Sequence, residues 1–254
     1  SIWVGMLMHF VNNATLVVVG DVDANEALRK IERHFQSIEP GSQPERIHTV
    51  EPEQTGERRL AIRKEGTAAY LKVGYHAPAV FDPLFVPALL LDAVLTGAKG
   101  VNLWSSFREP PPQRSARLYR ALVDRGLASA VFGSMLPTAE PFLYTVSATA
   151  TDGTAVDVVE GALLDALDTV RRAGVTAEEL ARAKSQLRAR LIFDDDSVTN
   201  IAHQIGYFET IGGADVFRSL PAAIAAATLD EVGAIAARML TADNRTVGRF
   251  EPLS

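Results

Sequence analysis

Residues 14–23 read ATLVVVGDVD: an apolar, β-branched run stopped by a lone glycine, with two aspartates close behind. A continuous apolar run without period-2 alternation predicts a strand buried on both faces. The residues just after the run decide the fold. Over residues 23–37, Ala27, Leu28, Ile31 and Phe35 fall at helical spacing, with Arg29, Lys30, Glu32 and Arg33 on the outer side. Asp23 is the natural N-cap, and Glu26 three residues on completes a capping-box pattern. A strand, turn and helix in this order could cradle a dinucleotide, but that needs G-x-G-x-x-G, whose glycines let the backbone approach pyrophosphate. Gly20 stands alone, Asp21 and Asp23 would repel phosphate, and the lysine–serine or lysine–threonine pair of a phosphate loop is missing. The stretch therefore reads as a strand end that caps the next helix.

Outward from this motif, Pro40, Gly41, Ser42 and Pro44 break the helical pattern, and residues 39–57 are polar enough to predict a linker. Strands are expected over 59–64 and 69–76. The apolar stretch FVPALLLDAVLTG predicts a helix within 83–97, stopped by Gly97. Residues 99–113 are irregular and end in prolines at 110–112, an extended segment or partner ligand. A helix is expected over 115–124, then strands over 128–136 and 142–150, where Phe142, Tyr144, Val146 and Ala148 alternate with Leu143, Thr145, Ser147 and Thr149. Residues 155–173 form an amphipathic pattern closed by Gly174. Beyond it stand two capping boxes, Thr176 with Glu179 and Thr228 with Glu231, opening helices that run to Phe193 and Leu240. Val175 is placed to staple onto Leu180. Between these boxes a helix is expected over 198–211, stopped by Gly212 and Gly213, and residues 245–250 read as a closing strand. The sum is α+β: a largely antiparallel sheet with helices packed on one face.

Composition removes several function classes. The chain of 254 residues carries 25 basic and 31 acidic residues, a net charge of −6, and no basic stripe interleaved with aromatics, so nucleic acid is not an expected partner. There are no cysteines, which excludes disulfides, thiolate zinc sites and cysteine nucleophiles and leaves the compartment open. No apolar run reaches the ~18–20 residues of a membrane span. The opening SIWVGMLMHFVNN lacks the basic lead-in and small-residue cleavage pattern of a signal peptide. It is expected to lie inside a longer protein.

Spacing alone yields no active site. A zinc-peptidase helix needs two histidines three or four residues apart and a glutamate to polarise bound water. None of His9, His34, His48, His76 and His203 has another histidine within that reach. His203, beside Tyr207, reads as packed or surface-exposed, and His48 and Glu51 as solvated linker residues. The run Asp194, Asp195, Asp196 offers oxygen ligands to a hard cation, or joins two helices with Asp196 or Ser197 capping the second. Gly133 and Ser134 lack the context of a nucleophile elbow.

The order of elements nevertheless resembles the pitrilysin/insulinase family of zinc metallopeptidases, the inverzincins. Four stretches carry the likeness: NNATLVVVGDVD at 12–23, ARLYRALV with GLA at 116–123 and 126–128, TAEELARAK at 176–184, and RTVGRFEP at 245–252. The resemblance implies a clamshell of two halves, each of two similar α+β domains. Zinc sits in a first domain on H-x-x-E-H and a distant glutamate, and a glutamate-activated water attacks the peptide bond. H-x-x-E-H is not in this sequence. The implied organisation is a C-terminal remnant of a first peptidase-like domain at 1–38, a linker at 39–57 and a second, non-zinc domain at 58–254.

No catalytic, substrate-binding or metal residue is carried over. Where the family often places an arginine and a tyrosine that hold substrate, this sequence has Val123 and Ser129, and Val11 stands where a proline is usual. The implied parent is a bacterial peptidase of cytoplasm or periplasm acting on peptides or unfolded segments, with zinc in an upstream domain. The implied partners are that first domain and the opposite half, with self-association through residues 14–20. The chain alone is expected to be inactive. The alternatives are part of a non-catalytic partner half, or a protein-binding module unrelated to proteolysis, which would show a pocket of convergent polar groups rather than a broad sheet face.

Overall fold

The computed structural model describes residues 3–8, 14–39, 41, 51–101, 113–194 and 197–253. In chain order these form β1 (Trp3–Met8), β2 (Ala14–Val19), α1 (Ala24–Phe35), β3 (Arg58–Glu65), β4 (Tyr70–Ala77), α2 (Phe85–Thr96) and a π-helical turn (Tyr119–Val123). They continue with β5 (Ala128–Met135), β6 (Phe142–Ala150), α3 (Val156–Ala173), α4 (Ala177–Asp194), α5 (Val198–Ile211), α6 (Ala214–Ala226), α7 (Leu229–Met239) and β7 (Arg245–Leu253). The expectations for Val11, most of the linker with His48, the prolines at 110–112, Asp195 and Asp196 lie outside the described residues, as does His9. The chain divides into two compact units, Ser1–Glu53 with Ile192–Arg218, and Gln54–Leu191 with Ser219–Ser254.

The larger unit is built on a five-stranded sheet of order β3-β7-β4-β6-β5, antiparallel except for the β3–β7 pair. The alternation legible in β6 sets its inner face. Tyr144, Val146 and Ala148 are buried beside Val73 and Tyr75 of β4 and Val247 of β7. Helices α2, α3 and α7 pack on that face. α2 is buried around nearly its whole circumference, which explains why its sequence is apolar without a polar stripe. This is the α+β architecture the sequence implies.

Both capping boxes form. The Thr228 hydroxyl accepts from the Glu231 amide at 3.2 Å, and the Glu231 carboxylate accepts from the Thr228 amide at 2.7 Å. Thr176 and Glu179 do the same at 3.2 and 2.8 Å. Two local expectations are corrected. The helix expected over 115–124 contains a π-helical turn, in which Asp124 N donates to Tyr119 O at 3.1 Å. α6, which holds Pro221 inside it, was not expected.

The smaller unit holds a two-stranded antiparallel sheet, with Trp3 opposite Val19 and Met8 opposite Ala14. α5 packs across both strands. Its Gly206 allows the close approach: a Cβ there would stand 3.2 Å from Val17 Cγ2. Phe208 is fully buried, with its ring 5.3 Å from that of Phe217. β2 is thus not buried on both faces as its sequence suggested; Thr15 to Val19 are half-buried, with α5 and β1 as its main described neighbours. Nor is β2 covered by the helix that comes after it. α1 starts at the expected cap, Asp23 Oδ1 accepting from Glu26 N at 2.8 Å, but none of its residues is buried. Leu16 and Val18 of β2 face Ala27, Ile31 and Phe35 across an apolar groove of ≈ 320 Å³.

Candidate functional site

The positions that the resemblance singles out lie at the π-helical turn and the strand after it. Val123 ends the turn and is half-buried; Ser129 lies exposed on β5, its hydroxyl donating to Thr149 O at 3.3 Å. An aliphatic group and a neutral hydroxyl supply no cation for a substrate carbonyl or carboxylate. The nearby cation Arg117 is committed elsewhere. Its Nε and Nη2 each donate to Glu179 at 2.7 Å, a bidentate pair that bolts the turn to the start of α4. Those bonds, opposed by burial and reinforced by the Thr176 amide, hold the Glu179 carboxyl down at about 2.

The larger unit also buries a polar cluster that sequence reading missed. Asp92 and Thr96 are 6% and 8% exposed in the apolar α2. Lys99 Nζ lies 2.7 Å from Asp92 Oδ2 and donates to Thr96 Oγ1 at 2.7 Å and Gly97 O at 3.1 Å. Thr96 Oγ1 in turn donates to Asp92 Oδ1 at 2.6 Å. Gly133 of β5 makes room for this cluster: a Cβ there would stand 2.5 Å from both Asp92 Oδ1 and Thr96 Oγ1. All three ammonium protons have acceptors at the C-terminal end of α2, so the cluster closes the helix and offers no free nucleophile or base. The Tyr144 hydroxyl is fully buried without a hydrogen-bond partner among the described residues; burial, then the Asp92 charge, pushes it well above the usual phenol range. The legible signal was an aspartate and a threonine at i and i+4 inside an otherwise apolar helix.

At the opposite sheet edge runs a chain of ion pairs. Glu57 pairs with Arg59 and with Arg245, whose Nε lies 2.5 Å from Glu57 Oε2. Glu160 of α3, 4% exposed, takes Arg59 at 2.6 Å and Arg249 at 2.5 Å. Burial raises both carboxyls, but the paired arginines outweigh it and hold them below the usual range. Gln54 Nε2 donates to Arg245 O at 2.9 Å, so the end of the expected linker is seated on β7.

The described histidines, His34, His76 and His203, do not converge. His34 is exposed beside the apolar groove, and His203 is half-buried on α5. His76 Nδ1 lies 2.8 Å from Asn244 Oδ1, and Asn244 Nδ2 donates to His76 O at 3.1 Å and Met239 O at 2.9 Å, tying β4 to the α7–β7 turn. Ser197 caps α5, accepting from Asn200 N at 3.1 Å. Among the described residues no group of three histidine, aspartate or glutamate side chains could hold a metal. These described residues do not fit the zinc of the resembled family.

Comparison with known proteins gives these features a family. The profile described as Peptidase M16 inactive domain matches residues 11–187. The chain is similar to zinc protease PqqE of Helicobacter pylori, 24% identical over 195 residues that cover 75% of this chain and 40% of that protein. Its fold is similar to the crystal structure of a protease from Helicobacter pylori, with a TM-score of 0.81 and 19% identity over 94% of this chain and 55% of that one. An inactive peptidase domain from Bordetella parapertussis is 27% identical, with a TM-score of 0.63, covering 76% of this chain and 97% of that one. The chain spans 40% and 52% of the length of the curated relatives it matches. With the profile matching well over half of its residues, the chain belongs to the Peptidase M16 inactive domain family, the zinc-peptidase relationship its four sequence stretches implied.

Proposed function

We propose that this chain is the C-terminal, non-zinc region of a larger zinc peptidase, which supports a chamber for peptides or unfolded segments and has no activity alone. The observation that carries this reading is the inactive-domain match over residues 11–187. Three features support it. The chain spans only part of its relatives' length. Its described residues contain no metal-binding group. The α1/β2 groove is a seam at which more of a first domain would dock, with residues 1–38 as that domain's end, 39–57 as linker and 58–254 as the second domain. Zinc would be held by that first domain.

Val123 and Ser129 favour a zinc-bearing half over a non-catalytic one, because the opposite half would then supply the arginine and tyrosine. Cytoplasm or periplasm both fit; no single helix among the described residues is long and apolar enough to cross a membrane. Self-association through residues 14–20 would use the edge of β2 that no described strand pairs with, and competes with docking of a first domain.

The test is a peptidase assay on an unstructured reporter peptide with zinc supplied. The chain alone should show no zinc-dependent cleavage. Joined to an H-x-x-E-H-bearing domain and mixed with its opposite half, it should support cleavage that a chelator abolishes. Zinc-dependent cleavage by the chain alone, persisting through purification, would overturn the reading.

A further inference from the structure

The chain passes between its two compact units at 53/54, 191/192 and 218/219. The second and third crossings lie inside helices, α4 (Ala177–Asp194) and α6 (Ala214–Ala226). A helix has a fixed rise of about 1.5 Å per residue, so it cannot lengthen without breaking backbone bonds. The first crossing is different. It lies just ahead of β3, and the residues between, Gln54 to Glu57, are held by side chains rather than by a strand ladder.

The backbone ladder between β3 and β7 begins with Arg58 opposite Thr246. Continuing that register sets Glu57 opposite Arg245, and there side chains take over. Gln54 Nε2 donates to Arg245 O at 2.9 Å and to Gly56 O at 2.8 Å, so one amide both ties the segment to β7 and closes its turn. Glu57 Oε2 accepts from Arg245 Nε at 2.5 Å, and Glu57 Oε1 accepts from Arg59. Burial follows these bonds. Glu51, Pro52 and Glu53 are exposed, whereas Gln54, Gly56 and Glu57 are half-buried.

Both cations that grip Glu57 are themselves fixed. Arg245 N donates to Ala242 O at 3.0 Å, and Arg245 lies opposite Tyr75 in the β4–β7 ladder. Arg59 reaches on to Glu160, the carboxylate that also holds Arg249. A carboxylate met by two prepositioned guanidiniums makes strong bonds at a small cost in side-chain order. The Glu57 and Arg245 side chains are 20% and 17% exposed, so salt screens this pair in part. These contacts can part while the β3–β7 ladder stays whole.

We propose that residues 54–57 are a releasable strap, latched by Glu57 on Arg245 and Arg59. Latched, the chain leaves the larger unit at Gln54. Released, it leaves at Arg58, and the connection gains the length of the strap, up to about 3.3–3.6 Å per residue. Of the three crossings, this is the one whose length can change with every helix and strand intact. The strap is independent of the peptidase reading, because it needs neither zinc nor an opposite half.

The chain has no cysteine, so a spin label on Thr55→Cys, an exposed position, reports on the strap alone. Electron paramagnetic resonance of the full 254-residue chain at low salt should show a largely immobile label. Glu57→Gln should raise the ratio of mobile to immobile label by about tenfold, the loss expected for a charge-assisted hydrogen bond. Rising salt should raise the same ratio in the chain that keeps Glu57, and leave it unchanged once Glu57→Gln is present. The same label on Asp152→Cys, in the exposed turn between β6 and α3, should respond to neither. The salt titration needs no substitution at the latch, so the test stays decisive even if Glu57→Gln disturbs the fold. A Thr55 label already mobile at low salt, a label insensitive to Glu57→Gln or to salt, or loosening of equal size at Asp152 would overturn the proposal.

Discussion

The two sheets of this chain solve the same problem to different degrees. In the larger unit, β7 carries arginines and a glutamate, yet Val247 is 1% exposed, because its inner face lies under helices. In the smaller unit, β2 is apolar at every position but one, yet only half-buried. α1 has a well-formed amphipathic stripe, but Leu28 is 57% exposed. Apolar sequence alone does not make a core. A core needs a second layer to close over it, and α5 closes only one side of β2.

If that contrast is sound, substitutions should divide by unit. The largest effect is expected from Asp92→Ala, which strands the Lys99 ammonium in the interior and should cost about 4 kcal/mol. Denaturant titration followed through β5 and β6 amide exchange reads it, and a loss below about 1 kcal/mol would mean that the cluster is not as closed as its distances imply.

Next comes Glu179→Gln, expected to cost about 2 kcal/mol at neutral pH by breaking the bidentate Arg117 pair. The folded carboxyl titrates at about 2 against an ordinary 4.5, so its contribution is complete above 4.5 and is lost as pH falls through 2. Wild type and variant should therefore differ most at neutral pH and converge in acid. A gap that persists at the acid end would assign the effect to packing rather than charge.

The smallest effects come from helix starts and surfaces. Thr228→Ala should cost about 1 kcal/mol, because α7 is buried against the sheet. Leu28→Ala on α1 should change stability by less than about 0.5 kcal/mol. If Leu28→Ala proved as costly as a core truncation, a partner would already cover α1 in solution, and the comparison between units would fail.

Much of the larger unit was legible in the sequence. Period-2 alternation gave β6, capping boxes marked the starts of α4 and α7, and glycines stopped α2 and α3. These signals are local, so they survive without knowledge of the fold. α6 was missed: it has no capping box at its start, and it carries Pro221 inside it. The cover of β2 was missed because α5 lies far along the chain, and no local pattern reports such a contact. At the candidate site, Val123 and Ser129 could be placed only by resemblance. The Asp92–Lys99 cluster went unread because a carboxylate in an apolar helix announces its partner only once Gly133 and Lys99 are brought to it by the sheet.

Gly133 leads to a consequence for descent. A glycine in a strand gives up side-chain packing, and here it does so in favour of a carboxylate from another element. The two positions are therefore not free to drift separately. A lineage that acquires any side chain at position 133 must first, or at once, shorten both residue 92 and residue 96, and one that loses only the carboxylate still meets Thr96 there. Among relatives these positions should change together, with side chains at 133 found only where 92 and 96 are both small. Position 99 should then no longer hold a lysine.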